Sequence, residues 1–169
     1  MSIIITGAIG IGKTTVCRKL IEVVRREGYT CSGILTYKSA EKSIIIEDIQ
    51  TSDRETLAST TNLYRGPHTP KYFFNPEGIA FGIRAIDRGV ASDLLLIDEL
   101  GHLELRGEGF AQVLELIRTG KVKMCGLVIR SELLPRFLPK LPAKLLIFDT
   151  TTSNRNELPQ EIGSVLLNK

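Results

Sequence analysis

Residues 7–14 read Gly-Ala-Ile-Gly-Ile-Gly-Lys-Thr, and a β-branched run, Ser2 to Thr6, leads straight into them. This spacing constrains the chain more than any other feature in it. Three glycines within six residues let the backbone curl so tightly that successive N–H groups point inward, where they bind an anion. Helical periodicity begins at Lys13, so the positive end of a helix faces the same point. The pattern is GxxxxGK(S/T), the Walker A phosphate-binding loop, in the strand-to-helix context its mechanism needs. Gly7, Ala8, Ile9, Gly10, Ile11, Gly12, Lys13, Thr14 and Thr15 are therefore read as the residues that hold a nucleoside triphosphate. Lys13 places a compact positive charge at the β- and γ-phosphates, and the Thr14 hydroxyl is a ligand for Mg²⁺.

A second acidic motif completes the first. Leu94-Leu95-Leu96-Ile97 is followed by Asp98 and Glu99, an apolar strand ending in two carboxylates, which beside a Walker A loop reads as Walker B. Asp98 is expected at the carboxyl end of a strand beside the loop, holding Mg²⁺ directly or through water. Glu99 is expected to face the γ-phosphate and orient or deprotonate a water. Asn154 is followed by Arg155 and Asn168 by Lys169, so no NKxD guanine-reading motif exists and a dedicated GTPase switch is disfavoured.

The rest of the chain alternates strand and helix patterns. An amphipathic helix runs from Lys13 to Glu27 with Val16, Leu20, Val23 and Val24 on one face, and Gly28 stops it. Gly33 to Tyr37 and Ser43 to Ile49 suggest an antiparallel hairpin, and 53–70 reads as an irregular connection. Asn75-Pro76-Glu77 starts a helix whose stripe is Ile79, Ile83, Ile86 and Val90, weakened by Gly78 and Gly82. Strands are expected over 93–98, 122–129 and 144–149. Phe110, Val113, Leu114 and Ile117 mark one further helix, and Leu158, Ile162, Val165 and Leu166 the last. Pro135 and Pro139 leave 131–141 ambiguous. The expected fold is α/β: one three-layer P-loop NTPase domain over residues 1–169, its sheet mainly parallel with an inserted antiparallel hairpin.

Composition excludes several function classes. A net charge of +3 over 169 residues, with no run of four Lys or Arg, gives no basis for nucleic-acid binding. The apolar runs are strand-sized, so no membrane span is expected, and the first residues lack the pattern of a signal peptide. Cys17, Cys31 and Cys125 are isolated and no Cys/His cluster exists, which points away from zinc and towards buried thiols in a reducing cytoplasm. The oligomeric state is not legible.

With both motifs in place, the chain resembles the small P-loop nucleoside-triphosphatases of the cancer-related nucleoside-triphosphatase type. The resemblance runs nearly end to end: GAIGIGKTT from Gly7, GILTY from Gly33, KYFFNPEGI from Lys71, LLLIDELGHLEL from Leu94, and Asn154-Arg155 after the last strand. It implies Mg²⁺-dependent hydrolysis of ATP, GTP and other nucleoside triphosphates to the diphosphate and phosphate. His102 stands where the family often has Lys or Pro. Glu104 matches a family Glu, read either as a residue behind Mg²⁺ or as a solvated loop carboxylate. Asn154 matches the family's Asn and reads as a hydrogen-bonding partner for a base edge. Arg155 matches the family's Arg and reads as a guanidinium laid on the base face; the alternative is that Ser153 or Asn154 caps the last helix with Arg155 in solvent.

Arg130 ends the strand after Walker B. In P-loop folds with a Glu after the Walker B Asp, that strand commonly inserts beside the P-loop strand, which makes Arg130 a candidate γ-phosphate sensor. Two other functions remain compatible with the motifs. One is a nucleoside or nucleotide kinase, with Arg130 and Arg136 bracketing a phosphate-clamping lid. The other is an ATP-sensing module with negligible turnover.

Overall fold

The Ile, Val and Leu runs form the middle of one sheet in the computed structural model, which describes residues 1–167. Asn168 and Lys169, the end of the expected 1–169 span, lie outside the described residues. The strands are β1 (Ser2–Thr6), β2 (Cys31–Lys38), β3 (Ser43–Asp48), β4 (Arg54–Ser59), β5 (Phe73–Phe74), β6 (Leu94–Leu100), β7 (Met124–Ile129) and β8 (Leu146–Asp149). The helices are α1 (Lys13–Arg26), α2 (Pro76–Gly89), α3 (His102–Leu105), α4 (Gln112–Arg118), α5 (Leu134–Phe137) and α6 (Leu158–Leu166). Strand order is β5-β4-β3-β2-β6-β7-β1-β8. β2, β6, β7, β1 and β8 run parallel, whereas β3, β4 and β5 each pair antiparallel. Among the described residues no helix is long and apolar enough to cross a membrane.

Alternation along the strands builds two cores, one on each face. Ile3, Ile5, Leu94 and Leu96 pack with α1 and α6, through Val16, Leu20 and Ile162. Ile4, Leu95 and Ile97 pack on the other side with Ile86, Val113 and Phe137 of α2, α4 and α5. The period of two then carries Asp98 to the α1 face, the side on which the phosphate-binding loop enters its helix.

Two sequence expectations need correction. The inserted antiparallel piece is larger than a hairpin, because 53–70 contains β4, whose Arg54 and Glu55 are exposed while Leu57 and Ala58 are buried. The stripe of α2 packs as expected, with Ile86 buried and Ile79, Ile83 and Val90 partly buried against the core, and Gly78, Gly82, Ala85 and Gly89 join its buried face. A Cβ on Gly78 would collide with the Thr56 carbonyl, and one on Gly82 with the Phe110 ring, so these glycines let the helix lie close to β4 and to Phe110. As expected for the strand that ends at Arg130, β7 inserts between β6 and β1, and Asp98 at the end of β6 still reaches Thr14 beside the loop. Finally, 131–141 is not a free lid: Leu133 and Phe137 are buried in the core, with Phe137 fully enclosed, and hold it down, and Arg136 is exposed.

Candidate nucleotide and metal site

β1 stops at Thr6 and α1 starts at Lys13, so the loop must reverse within six residues. Gly12 caps α1 at φ 108, a left-handed conformation that L side chains rarely adopt. Gly7, at φ 140, packs so close to the chain after β8 that a Cβ there would sit 2.8 Å from the Thr150 carbonyl. No side chain caps α1 and its first turn holds no acidic residue, which leaves its first N–H groups for an anion. The Lys13 Nζ donates to the carbonyls of Gly7 (2.8 Å) and Ala8 (2.7 Å). Burial pulls this ammonium below its ordinary range. The charges acting on it, in order of size, are Glu99 (raising), Arg130 (lowering), Asp98 and Glu132 (both raising). The Walker B acids and Arg130 therefore surround Lys13.

Asp98 is 1% exposed. Its Oδ2 accepts hydrogen bonds from the Thr14 hydroxyl at 2.8 Å and from the Thr36 backbone N–H at 3.1 Å. Burial lifts its carboxyl to about 6, against the lowering pull of those two bonds. Among the described residues no group of three or more His, Cys, Asp or Glu stands ready to hold a metal. The donors are instead one hydroxyl and one carboxylate. That small set of hard oxygens suits an ion that keeps several waters and takes phosphate oxygens as further ligands. Triphosphate hydrolysis on a loop of this kind implies a divalent metal. Thr36 was not singled out from the sequence. The one available signal is a hydroxyl within an otherwise apolar strand run, Gly33-Ile34-Leu35-Thr36.

Glu99 follows Asp98 with φ 71, uncommon for a residue with a side chain. The register with β7 slips between Ile97 and Leu100 at this point. The extra residue is a β-bulge, a device that re-aims a side chain next to active sites. Glu99 turns to Arg130 at the end of β7, and both Nε (2.8 Å) and Nη2 of Arg130 donate to its Oε1. The next residue, Ser131, donates its N–H to the Gly7 carbonyl at 3.3 Å, which ties the end of β7 to the phosphate-binding loop.

The block after Glu99 carries a further correction. Glu104 is only 6% exposed and is neither solvated nor directed to Asp98. It accepts the N–H groups of Gly101 (2.8 Å) and Phe110 (2.9 Å), which folds 101–110 into a closed loop, while burial raises its carboxyl. His102 is exposed at the start of α3.

On the other flank of the loop, Arg155 is exposed and its Nη1 donates to the Ile11 carbonyl at 3.4 Å. A hollow of about 300 Å³ lies between Gly12, Thr15, Arg155 and Asn156. Both ends of the Asn154 amide are engaged within their own loop: Oδ1 accepts the Thr151 N–H and Nδ2 donates to the Asp149 carbonyl, each at 2.8 Å. Asn154 shapes the turn that presents Arg155. No side chain caps α6, which starts at Leu158, so neither Ser153 nor Asn154 caps it. A larger hollow, about 500 Å³, opens at the opposite end of the sheet among Arg25, Gln50, Arg88 and Ser92. Its arginines already bond the Ile49 carbonyl and Asp48, and none of the Walker residues line it.

Comparison with known proteins agrees with this geometry. The sequence model of the family described as NTPase matches residues 2–163. A nucleoside-triphosphatase THEP1 of Thermotoga maritima is 31% identical over 98% of this chain and 95% of its own length. One of Methanopyrus kandleri is 29% identical over 95% and 92%. Among solved structures, THEP1 from Aquifex aeolicus superposes with a TM-score of 0.80 at 23% identity, covering 98% of this chain and 99% of that one.

Proposed function

The chain belongs to the NTPase family, and from that premise we propose that it hydrolyses nucleoside triphosphates to the diphosphate and phosphate with Mg²⁺, through Lys13, Thr14, Asp98, Glu99 and Arg130. The carrying observation is the 2.8 Å hydrogen bond from the Thr14 hydroxyl to Asp98, which joins residues 84 positions apart at the mouth of the loop. Thr14 and Asp98 are the residues that would hold Mg²⁺, which would supply neutralisation of phosphate charge. The loop N–H groups from Gly7 to Thr15 hold the phosphates, and Lys13 leaves its two carbonyls to meet β- and γ-oxygens.

Glu99 accepts a proton from water as the water oxygen bonds to the γ-phosphorus. The bond from that phosphorus to the bridging oxygen breaks, and its electron pair leaves with the nucleoside diphosphate. Arg130 meets the charge on the γ-oxygens. Arg155 offers its guanidinium plane to the base at the edge of the sheet where ligands of open α/β folds lie, a contact that tolerates any base. Asn154 supports it by holding the loop. The three cysteines are free and buried, in keeping with a cytoplasmic protein.

The test is phosphate release from ATP, GTP, CTP and UTP with Mg²⁺, with and without nucleoside acceptors. Release without acceptor is expected. Release only as phosphorylated acceptor would make the protein a kinase, and tight binding with neither product would make it a sensor.

A further inference from the structure

We propose that the Glu99–Arg130 ion pair is a latch opened by a terminal phosphate: Arg130 exchanges Glu99 for the γ-phosphate, and that exchange frees Glu99 to act on water. The proposal rests on the reading in which Glu99 is the base and Arg130 a phosphate ligand.

The geometry carries it in three steps. First, two N–H groups of Arg130 converge on one oxygen, Glu99 Oε1. A carboxylate oxygen already taking two charge-assisted bonds has little lone-pair capacity left for the proton of a water. In this arrangement Arg130 has two donors committed to Glu99 and Oε1 is withheld from water, while Oε2 takes no bond from Arg130. Second, the pair is reachable: the two side chains are 26% and 31% exposed, and both charges act on Lys13, the residue that meets the phosphates. Third, the backbones are pinned while the side chains are not. Ser131 is tied to the Gly7 carbonyl and Glu99 is set in its bulge, so the exchange is a swing of two side chains. Glu132, 4.0 Å from Arg130 Nη1, stands on the solvent side and takes part of the guanidinium charge.

The competitor that fits is a dianionic terminal phosphate, which a guanidinium binds through two parallel hydrogen bonds. A diphosphate seated in the same loop ends one phosphate short of Arg130 and leaves the latch shut. The pair thus makes the site count phosphates. It also gives the product a way out, because Glu99 competes with free phosphate for Arg130 once the bond has broken.

The experiment is equilibrium binding, with Mg²⁺, of ADP and of the non-hydrolysable β,γ-imido analogue of ATP. It uses the wild type, Glu99→Gln, Arg130→Ala and the double variant. Glu99→Gln is expected to tighten the imido analogue about tenfold, the scale of a lost charge-assisted bond, and to leave ADP unchanged. In the Arg130→Ala background the same substitution is expected to do nothing. Arg130→Met, which keeps much of the apolar stem without the charge, replaces Arg130→Ala if that variant does not fold. Equal tightening with and without Arg130 would mean simple relief of charge repulsion and would overturn the latch. So would tightening of ADP and the analogue alike, or no tightening of either. Phosphate release by Glu99→Gln is read separately: a wild-type rate would overturn the base assignment, and with it the half of the proposal that concerns water.

Discussion

β7 and β8 flank β1 on its two sides, both parallel to it, and the chain leaving each delivers an arginine to the same loop. They deliver it differently. Arg130 is three-quarters covered and locked to a carboxylate on a neighbouring strand. Arg155 is exposed, on a turn held by the Asn154 amide, and its side chain donates one long hydrogen bond to the Ile11 carbonyl, at 3.4 Å. The contrast follows what each must recognise. Charge developing at one phosphorus calls for a donor on a pinned backbone, one side-chain swing from its target. A base whose identity does not matter needs a flat surface, and an exposed guanidinium supplies one at low cost in precision. One loop can therefore be strict about the γ-phosphate and loose about the base.

The comparison breaks most visibly at Arg130. Arg130→Ala is expected to lower kcat by about 10³ or more, the scale of an arginine acting at the transferred phosphate, while ADP affinity stays close to wild type. A wild-type kcat would remove the difference between the two flanks. Lys13→Ala, between them, is expected to weaken Mg·ATP binding about 10- to 100-fold and to lower turnover with it, as calorimetry and phosphate release can measure. Unchanged affinity would count against the loop itself.

Asp98 sharpens the account through stability. Its carboxyl lies at about 6 against 3.8 for a free one, because burial disfavours the charge. The folded protein holds that proton more tightly than the unfolded chain, so this group's contribution falls as pH rises from about 4 to about 6, and the penalty stays in place above that. It is on the order of 2–3 kcal/mol. Asp98→Asn without metal is expected to raise Tm at pH 7.5 by several degrees and to abolish turnover, with the gain in Tm shrinking as pH falls towards 4. A change in Tm independent of pH would refute the burial argument. The smallest effect belongs to Arg155→Ala: KM for ATP, GTP and CTP should rise together about two- to fivefold with kcat spared. Strong selectivity of the wild type for one base would contradict loose recognition.

What was legible beforehand is what local chemistry determines. The loop could be read because Gly7, Gly10 and Gly12 all take positive φ, which the residue types announce. Asp98 could be read because the apolar run Leu94 to Ile97 ends at it, beside a Walker A loop. Long-range partners decided the rest. Arg54-Glu55-Thr56 carries no apolar alternation, so β4 emerges only from its pairing with β3. Gly78 and Gly82 look like weak points until the Thr56 carbonyl and Phe110 ring are placed against them. Glu104 looks like a surface acid until the Gly101 and Phe110 N–H groups turn to it. Arg130 and Glu99 could each be proposed from their strand ends. Their mutual bond depends on a register slip between β6 and β7 that no local pattern encodes.

The central claim is that Glu99 acts on water rather than on the nucleotide or the fold. It is tested most directly by Glu99→Gln, measuring Mg·ATP binding by calorimetry and phosphate release in a single turnover on the same preparation. The account predicts binding at least as tight as wild type, with release slowed about 10² to 10⁴-fold. Binding and release that fall together would make Glu99 a structural or metal-holding group and contradict it.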